Sequence, residues 1–376
     1  MTTQASIRVC IDGTPLLLRS AGVKTYLYHW LRGLQNGGSR HHLAIFPKMA
    51  GLFDLDHENS VRPRISTVFR LAGVGVLNLN RHWPPTLRKK MDLFHASGVL
   101  RSFPRKAKLT ATIHDLTTWI MPEMHNRRNI AADRAFANRI LKHADRLITG
   151  SEHSRQDAVR VLGLPYDKIE VIHHGVPDSY FSVGPEQVAL AARKYRLQRP
   201  YILFCSTIEP RKNLDTLLDA YSSLEPELRR QFDLVVVGMM GWASDATAQR
   251  LRQGSDGVRY LGYVPEADLP GITAGATAFV YPSLYEGFGF PLAQAMASGV
   301  PTVTSCVSAM PEIAGDGALL VDPRSTAELR SAIARILSSA SLREELAVRA
   351  RRQAQQFRWG RSAARSWDFF ENALGS

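Results

Sequence analysis

Three short windows hold the residues best equipped for chemistry. Glu286 stands in the run Ser283-Leu284-Tyr285-Glu286-Gly287-Phe288-Gly289-Phe290-Pro291-Leu292, where an apolar strand feeds a glycine-bearing turn and then a helix. Pro291 suits a first helical turn and Gly299 a helix end, which puts the carboxylate in a loop above a helix N-terminus. Free N–H groups at such a start attract an anion, and a carboxylate beside them can accept hydrogen bonds from sugar hydroxyls. A second window, Ser206-Thr207-Ile208-Glu209-Pro210-Arg211-Lys212-Asn213-Leu214, sets two adjacent cations at the start of another helix. Fixed positive charge added to free backbone N–H groups is what a diphosphate requires. A third, Thr112-Ile113-His114-Asp115-Leu116, ends an apolar strand with an imidazole and a carboxylate. Weaker is Ser20-Ala21-Gly22-Val23-Lys24-Thr25-Tyr26, whose single glycine suits a phosphate loop or an ordinary strand–helix turn. Taken alone, each window also has a plain reading: a chance turn, a surface Arg-Lys pair, a structural histidine.

These windows need a scaffold that gathers strand ends, and the rhythm of the chain supplies one. Short aliphatic or β-branched runs, Ile7–Asp12, Leu43–Phe46, Leu109–Ile113, Leu147–Thr149 and Ile169–Ile172, alternate with helical stretches. The alternation resumes with Tyr201–Cys205, Leu234–Val237, Val258–Leu261, Ala278–Tyr281 and Thr302–Thr304. It predicts βαβ units in two parallel Rossmann-like sheets, an α/β fold. Such sheets bind ligands beyond the C-terminal ends of their strands, where the windows fall. Two domains also suit 376 residues, because one core stops growing at about 250–300. Turn formers at Gly175-Val176-Pro177-Asp178 and a polar stretch to Pro200 place the boundary near residue 185. The expected division is 1–185, 186–357 and a helix over 358–376, set off by a break at Phe357-Arg358-Trp359-Gly360, that crosses back onto the first domain.

Hydrophobic residues at 45% and charged ones at 22% exclude a disordered, collagen-like or coiled-coil chain. Cys10, Cys205 and Cys306 give neither a disulfide framework nor a zinc spacing, which fits a reducing cytoplasm. No stretch approaches the ~18–20 apolar residues that span a bilayer, and Met1 to Ser6 carry no signal-peptide pattern, so a soluble or peripheral protein is expected. Forty-seven Lys and Arg against 34 Asp and Glu give +13, an attraction to polyanions. Between Val61 and Thr110, Arg62, Arg64, Arg70, Arg81, Arg88, Lys89, Lys90, Arg101, Arg105, Lys106 and Lys108 face a lone acid, Asp92. Apolar Leu71–Leu77 and Trp83-Pro84-Pro85 lie among them, a surface suited to an anionic membrane or a phosphate-bearing acceptor, or simply solvated. No nucleic-acid recognition motif is present.

The glycine turn, Pro291 and the helix end Ala295-Met296-Ala297-Ser298-Gly299-Val300-Pro301 together resemble the signature of retaining GT-B glycosyltransferases of family four, also called glycosyltransferase group 1. That signature carries a second glutamate eight residues after the first; here Glu286 matches and Gln294 departs. The resemblance implies two Rossmann-like domains facing across a cleft, with the donor mainly on the second. It implies that Glu286 faces the donor sugar and that position 294 binds the ribose. Glutamine lacks the bidentate grip of a carboxylate, a loss of ~1–2 kcal/mol. Gly287, Phe288, Gly289 and Leu292 complete the implied donor turn. The Glu-Pro-Arg-Lys-Asn run is similar to a variant of the family's phosphate loop, which implies that Lys212 contacts the pyrophosphate with Arg211 as helper. Ser206 and Thr207 line that loop, Thr207 standing where an arginine is more usual. By the same resemblance His114 hydrogen-bonds the transferred sugar; Asp115 either orients local backbone or sets the histidine tautomer. Gly22 is what remains of a glycine-rich loop, with Lys24 where a second glycine is common. Gly238, beside Gly241-Trp242, admits the nucleotide, while backbone near Tyr263 and Val264 reads its base.

The family therefore implies a hexosyltransferase, catalytic through His114, Glu286, Arg211 and Lys212, that moves a sugar from a nucleotide-sugar donor to a saccharide or lipid-linked acceptor with retention. The Glu-Pro-Arg-Lys-Asn form is similar to mannosyltransferases of bacterial O-antigen and exopolysaccharide assembly and favours GDP-mannose over UDP-, dTDP- or other GDP-sugars. Neither metal nor cofactor is required in this reading, since the two cations and helix N-termini stabilise the departing diphosphate. Two other classes remain: a non-catalytic nucleotide-sugar-binding protein, motivated by Gln294, and a GT-B epimerase.

Overall fold

A computed structural model describes residues 6–17, 22–38, 40–49, 51–52, 64–80, 83, 91–241, 245–254 and 257–375. Strands β1 (Arg8–Asp12), β2 (His42–Phe46), β3 (Leu93–Ala96), β4 (Lys108–Ile113), β5 (Arg146–Thr149) and β6 (Ile169–Val171) form one parallel sheet in the order β2-β1-β3-β4-β5-β6. Strands β7 (Tyr201–Cys205), β8 (Asp233–Val237), β9 (Val258–Gly262), β10 (Ala278–Tyr281), β11 (Thr302–Ser305) and β12 (Ala318–Val321) form a second, ordered β12-β11-β10-β7-β8-β9. Every residue of β3, β8, β10 and β11 is buried, as parallel strands covered on both faces must be. The alternation of the sequence thus becomes two Rossmann-like sheets.

Two strands go beyond the sequence reading. β3 is four residues long with a histidine inside it, and His95 is accommodated by tertiary bonds: its ring nitrogens lie 2.9 Å from the hydroxyls of Thr110 and Thr112 on β4. Burial, with His114 adding to it, pushes the His95 imidazole down to about 3, so it is neutral. β12 is an edge strand that pairs with β11, a four-residue apolar run, Ala318-Leu319-Leu320-Val321, that the sequence reading passed over.

The chain divides into two compact units, 1–175 with 359–376, and 176–358. The first passage falls at Gly175–Val176, earlier than the boundary expected near 185. Val176 and Tyr180 are core residues of the second unit, and the Val176 N–H bonds the Phe357 carbonyl at 2.7 Å. The return falls at Arg358–Trp359, because the Arg358 guanidinium bonds Asp178 at 2.9 Å and lies 4.0 Å from the Phe181 ring centre.

In the first unit, helix α1 (Gly22–Gly37) buries Tyr26, Leu27, Trp30, Leu31 and Leu34. Helix α2 (Arg64–Asn80) behaves oppositely: Val68 and Phe69 are 64% and 74% exposed and Val76 is 55% exposed. In the second unit, α3 (Leu214–Ser222) follows β7 and α4 (Phe290–Ala297) follows β10. Helix α5 (Trp359–Gly375) belongs to the first unit and packs on α1: Trp30 Nε1 donates to Ser366 Oγ at 2.9 Å and Trp367 Nε1 to the Leu34 carbonyl at 3.0 Å. Trp83, grouped above with a surface segment, is 2% exposed and donates to Ser102 Oγ at 3.2 Å, so it is core. Arg62, Arg81, Pro84, Pro85, Arg88, Lys89 and Lys90 lie outside the described residues. Among the described residues, no helix is long and apolar enough to cross a membrane.

Candidate active site

In the second unit, two loops at the C-terminal sheet edge are stapled together. After β7 the chain turns through Pro210–Lys212, and Asn213 takes a left-handed conformation (φ 59°) before α3. The Asn213 amide Nδ2 donates to the carbonyls of Pro282 at 3.0 Å and Pro323 at 2.6 Å, tying this turn to the loop after β10. Glu286, in that second loop, is 7% exposed. Its Oε1 accepts from Lys212 Nζ at 2.5 Å, Tyr281 OH at 2.7 Å and Ser283 Oγ at 2.7 Å, while Oε2 lies 3.1 Å from Arg211 Nη1. Burial alone would raise its pKa, but Arg211 and then Lys212 outweigh that and hold it down at about 2. The carboxylate is therefore charged, and it fixes both cations at the strand ends.

Arg211 is committed on several sides: Nη1 donates to the Tyr285 carbonyl at 2.6 Å and Nη2 to Glu209 Oε1 at 2.7 Å. Its carbonyl accepts the Leu284 N–H at 2.9 Å. Lys212 lies 3.9 Å from Glu209 as well. Burial, and next the charge of Arg211, pulls its amine down, against which Glu286 and Glu209 work. Two acids and two bases thus form one buried network in which fixed charges stand ready without further reorganisation. Glu209, on the same turn as both cations, was not singled out by sequence, and neither was Tyr281, which enters the network from the end of β10.

The remaining donor-site candidates separate by burial. Gly289 has φ 93°, and a Cβ there would lie 2.3 Å from Met310 Cε, so the turn needs glycine. Phe288 and Leu292 are 3% and 0% exposed core residues that shape the turn from below. Gln294 is half-buried on α4, and Ser206 and Thr207 are half-buried beyond β7. Gly238, expected to admit a nucleotide, makes room for protein: its φ is 138° and a Cβ would stand 1.8 Å from the Ser206 carbonyl oxygen. Tyr263 is 54% exposed just beyond β9, whereas Val264 is buried. Trp242 lies outside the described residues.

In the first unit, His114 follows β4 and lines a cavity of about 260 Å³ with Val23, Ser97, Asp115, Trp119 and Asp133. Burial pushes its imidazole down, against the pull of Asp115 and of the Ser97 backbone, so it is neutral at pH 7. The Tyr26 ring meets it edge-on with centroids 5.2 Å apart. Asp115 Oδ1 accepts the Thr117 N–H at 3.1 Å and the Thr117 hydroxyl at 2.6 Å, a local backbone role. Gly22 opens α1 in open space, with nothing within 4 Å of an added Cβ, and residues 18–21 before it lie outside the described ones. Lys24 is 8% exposed, not a free surface charge. Asp12, missed by sequence, is wholly buried at the end of β1. It accepts the Thr14 N–H at 2.9 Å and the Ser97 N–H at 3.3 Å, joining two strand-end loops. The run Asp12-Gly13-Thr14 was the available signal, a side chain capping backbone two residues on. Among the described residues, no cluster of three His, Cys, Asp or Glu side chains could hold a metal.

Twin parallel six-stranded sheets, the second carrying a buried carboxylate and two cations at its strand ends, are the arrangement expected of a GT-B fold. The family model for glycosyl transferases group 1 matches residues 190–353 and that for glycosyltransferase family 4 matches residues 20–180. The chain is 36% identical over 258 residues to O-antigen chain mannosyltransferase B of Escherichia coli, covering 68% of each protein. It is 27% identical over 241 residues to the serotype-specific mannosyltransferase WbdA of Escherichia coli, covering 62% of this chain and 30% of that longer protein. Its fold matches Anabaena HepE, solved in complex with UDP and glucose, with a TM-score of 0.72 at 20% identity over 97% of this chain and 99% of that one. The chain belongs to the group 1, family 4 glycosyltransferases.

Proposed function

We propose that this glycosyltransferase moves mannose from GDP-mannose, with retention at the anomeric carbon, to a saccharide or lipid-linked oligosaccharide acceptor in bacterial surface-polysaccharide assembly. The observation that carries this reading is the 36% identity to an O-antigen mannosyltransferase over 68% of the chain. The charge network supplies the chemistry: Lys212 and Arg211 bind the diphosphate and stabilise the charge that develops on it as the sugar–phosphate bond breaks. The acceptor oxygen attacks the same face of the anomeric carbon, and its proton passes to the departing phosphate oxygen. Glu286 holds the cations and faces the sugar, and neutral His114 hydrogen-bonds it. No metal takes part in this scheme, so transfer persists in chelator. The partner surface for an anionic membrane is the exposed side of α2, which carries Val68, Phe69 and Val76 and no acid.

A thermal-shift and transfer screen with GDP-, UDP-, ADP- and dTDP-sugars tests the donor, since native-state binding raises the melting temperature. A selective GDP-mannose response supports the reading, and a selective UDP or dTDP response overturns the donor. With GDP-mannose alone, the wild type shows only slow hydrolysis; conversion to an epimer would overturn transfer, and inertness toward every donor would leave a binding protein.

A further inference from the structure

In the first unit, two of the buried polar atoms that the fold leaves unanswered line one cavity. Ser97 is 1% exposed, and its Oγ has no hydrogen-bond partner among the described residues; the same is true of His114 Nε2. Native folds rarely tolerate such groups unless something else pairs them. Both residues line the cavity of about 260 Å³. They are neighbours by construction, because β3 and β4 run in register with Ala96 opposite Ala111, and each residue sits just past its strand.

The backbone that carries Ser97 is held in place. The Ser97 N–H is held by Asp12 Oδ2 at 3.3 Å, and the same oxygen holds the Leu100 N–H at 3.5 Å, so the loop beyond β3 is fixed. Burial keeps the His114 ring neutral, and its Nε2 has no partner among the described residues. In a neutral imidazole Nε2 either donates or accepts, and it lines the same cavity as a hydroxyl that can do either. Trp119, Phe136 and Leu141 supply apolar wall, and Asp115 and Asp133 add acceptors. An apolar wall with a few convergent hydroxyl-binding groups suits a pyranose, whose ring carbons are apolar and whose rim is hydroxylated.

We propose that Ser97 is a substrate-binding residue which, with His114, clamps one hydroxyl of a pyranose in this cavity: the hydroxyl hydrogen-bonds both Nε2 and Ser97 Oγ. The proposal rests on the glycosyl-transfer reading above and adds to it a residue that no motif marks. The pyranose comes from the acceptor or from the donor, and two measurements on the full chain separate these sources.

Ser97→Ala removes the hydroxyl and little else. Binding of methyl α-D-mannopyranoside without nucleotide, followed by saturation-transfer NMR, weakens about three- to tenfold in the variant if the clamp serves the acceptor. The kcat/KM for GDP-mannose hydrolysis falls by that factor instead if it serves the donor. In either case Ser97→Thr, which keeps a hydroxyl, restores the loss, and the melting temperature of Ser97→Ala stays level or rises because an unpaired buried group is gone. The clamp is overturned if both measurements stay within twofold of wild type, if the wild type gives no signal in either, or if Ser97→Ala melts several degrees lower. The mannoside measurement contains no nucleotide, so a wrong donor assignment leaves it standing.

Discussion

Glu286 shows how one side chain does two jobs. Its two oxygens collect Lys212, Arg211, Tyr281 and Ser283, and that collection keeps its pKa at about 2 against an ordinary 4.5. Glu286→Gln leaves two buried cations short of a counter-charge, and we expect transfer kcat to fall by orders of magnitude and stability by about 3 kcal/mol. Because the folded pKa is depressed, the stabilisation is complete above 4.5 and vanishes as the pH falls through about 2. The gap between wild-type and variant urea midpoints should therefore be widest near neutrality and close in that acid window; a gap independent of pH contradicts the pairing. Gln294→Glu should tighten GDP binding about tenfold in calorimetry if the side chain reaches ribose, and equal affinity rejects that contact. At this scale Glu286, Arg211 and Lys212 were legible because each sits in a contiguous pattern. Asp12 and Ser97 were not, since the loops that carry them meet only in the fold, and Glu209 was passed over although its partners Arg211 and Lys212 stand two and three residues on.

Elements were legible where sequence periodicity equals burial, and β1, β7 and β10 follow their apolar runs almost residue for residue. β3 escaped because a histidine interrupts it, and the compensation, two threonine hydroxyls on β4, is tertiary. Gly238 was noticed for the right reason, a backbone that must come close, but the close neighbour is the Ser206 carbonyl. Gly238→Ala should cost about 2–3 kcal/mol in urea unfolding, because φ 138° and a 1.8 Å approach admit no Cβ. Helix α2 carries the converse signal: Val74 enters the core, but Val68, Phe69 and Val76 are apolar and stay exposed. Replacing Val68, Phe69 and Val76 together by serine should reduce sedimentation with phosphatidylglycerol vesicles at least fivefold while hardly moving the melting temperature. Unchanged sedimentation removes α2 as a membrane contact.

At the scale of the whole molecule, the two units were foreseen and their division was refined by packing. The turn-forming residues after Gly175 suggested a linker, yet Val176 and Tyr180 lie in the core of the second unit. What composition could not show is how firmly α5 is built into the first unit. Trp367 Nε1 holds the Leu34 carbonyl, and the Trp367 ring stacks on His41 with centroids 4.7 Å apart. Trp367→Ala should cost about 3–5 kcal/mol and raise hydrogen exchange across α1 while β7 to β12 keep their protection.

The helix that completes the first unit is made after the whole of the second. A ribosome must translate residues 176–358 before Trp359–Gly375 emerges, and until then the α1 surface around Trp30 and Leu34 has no cover. The second unit is contiguous and can finish folding first, so the usual amino-to-carboxyl order of domain folding is inverted here. A gene fragment ending at residue 175 would for the same reason express the six strands of the first sheet with α1 uncovered, whereas one that fuses residue 175 to 359–376 would express the first unit entire.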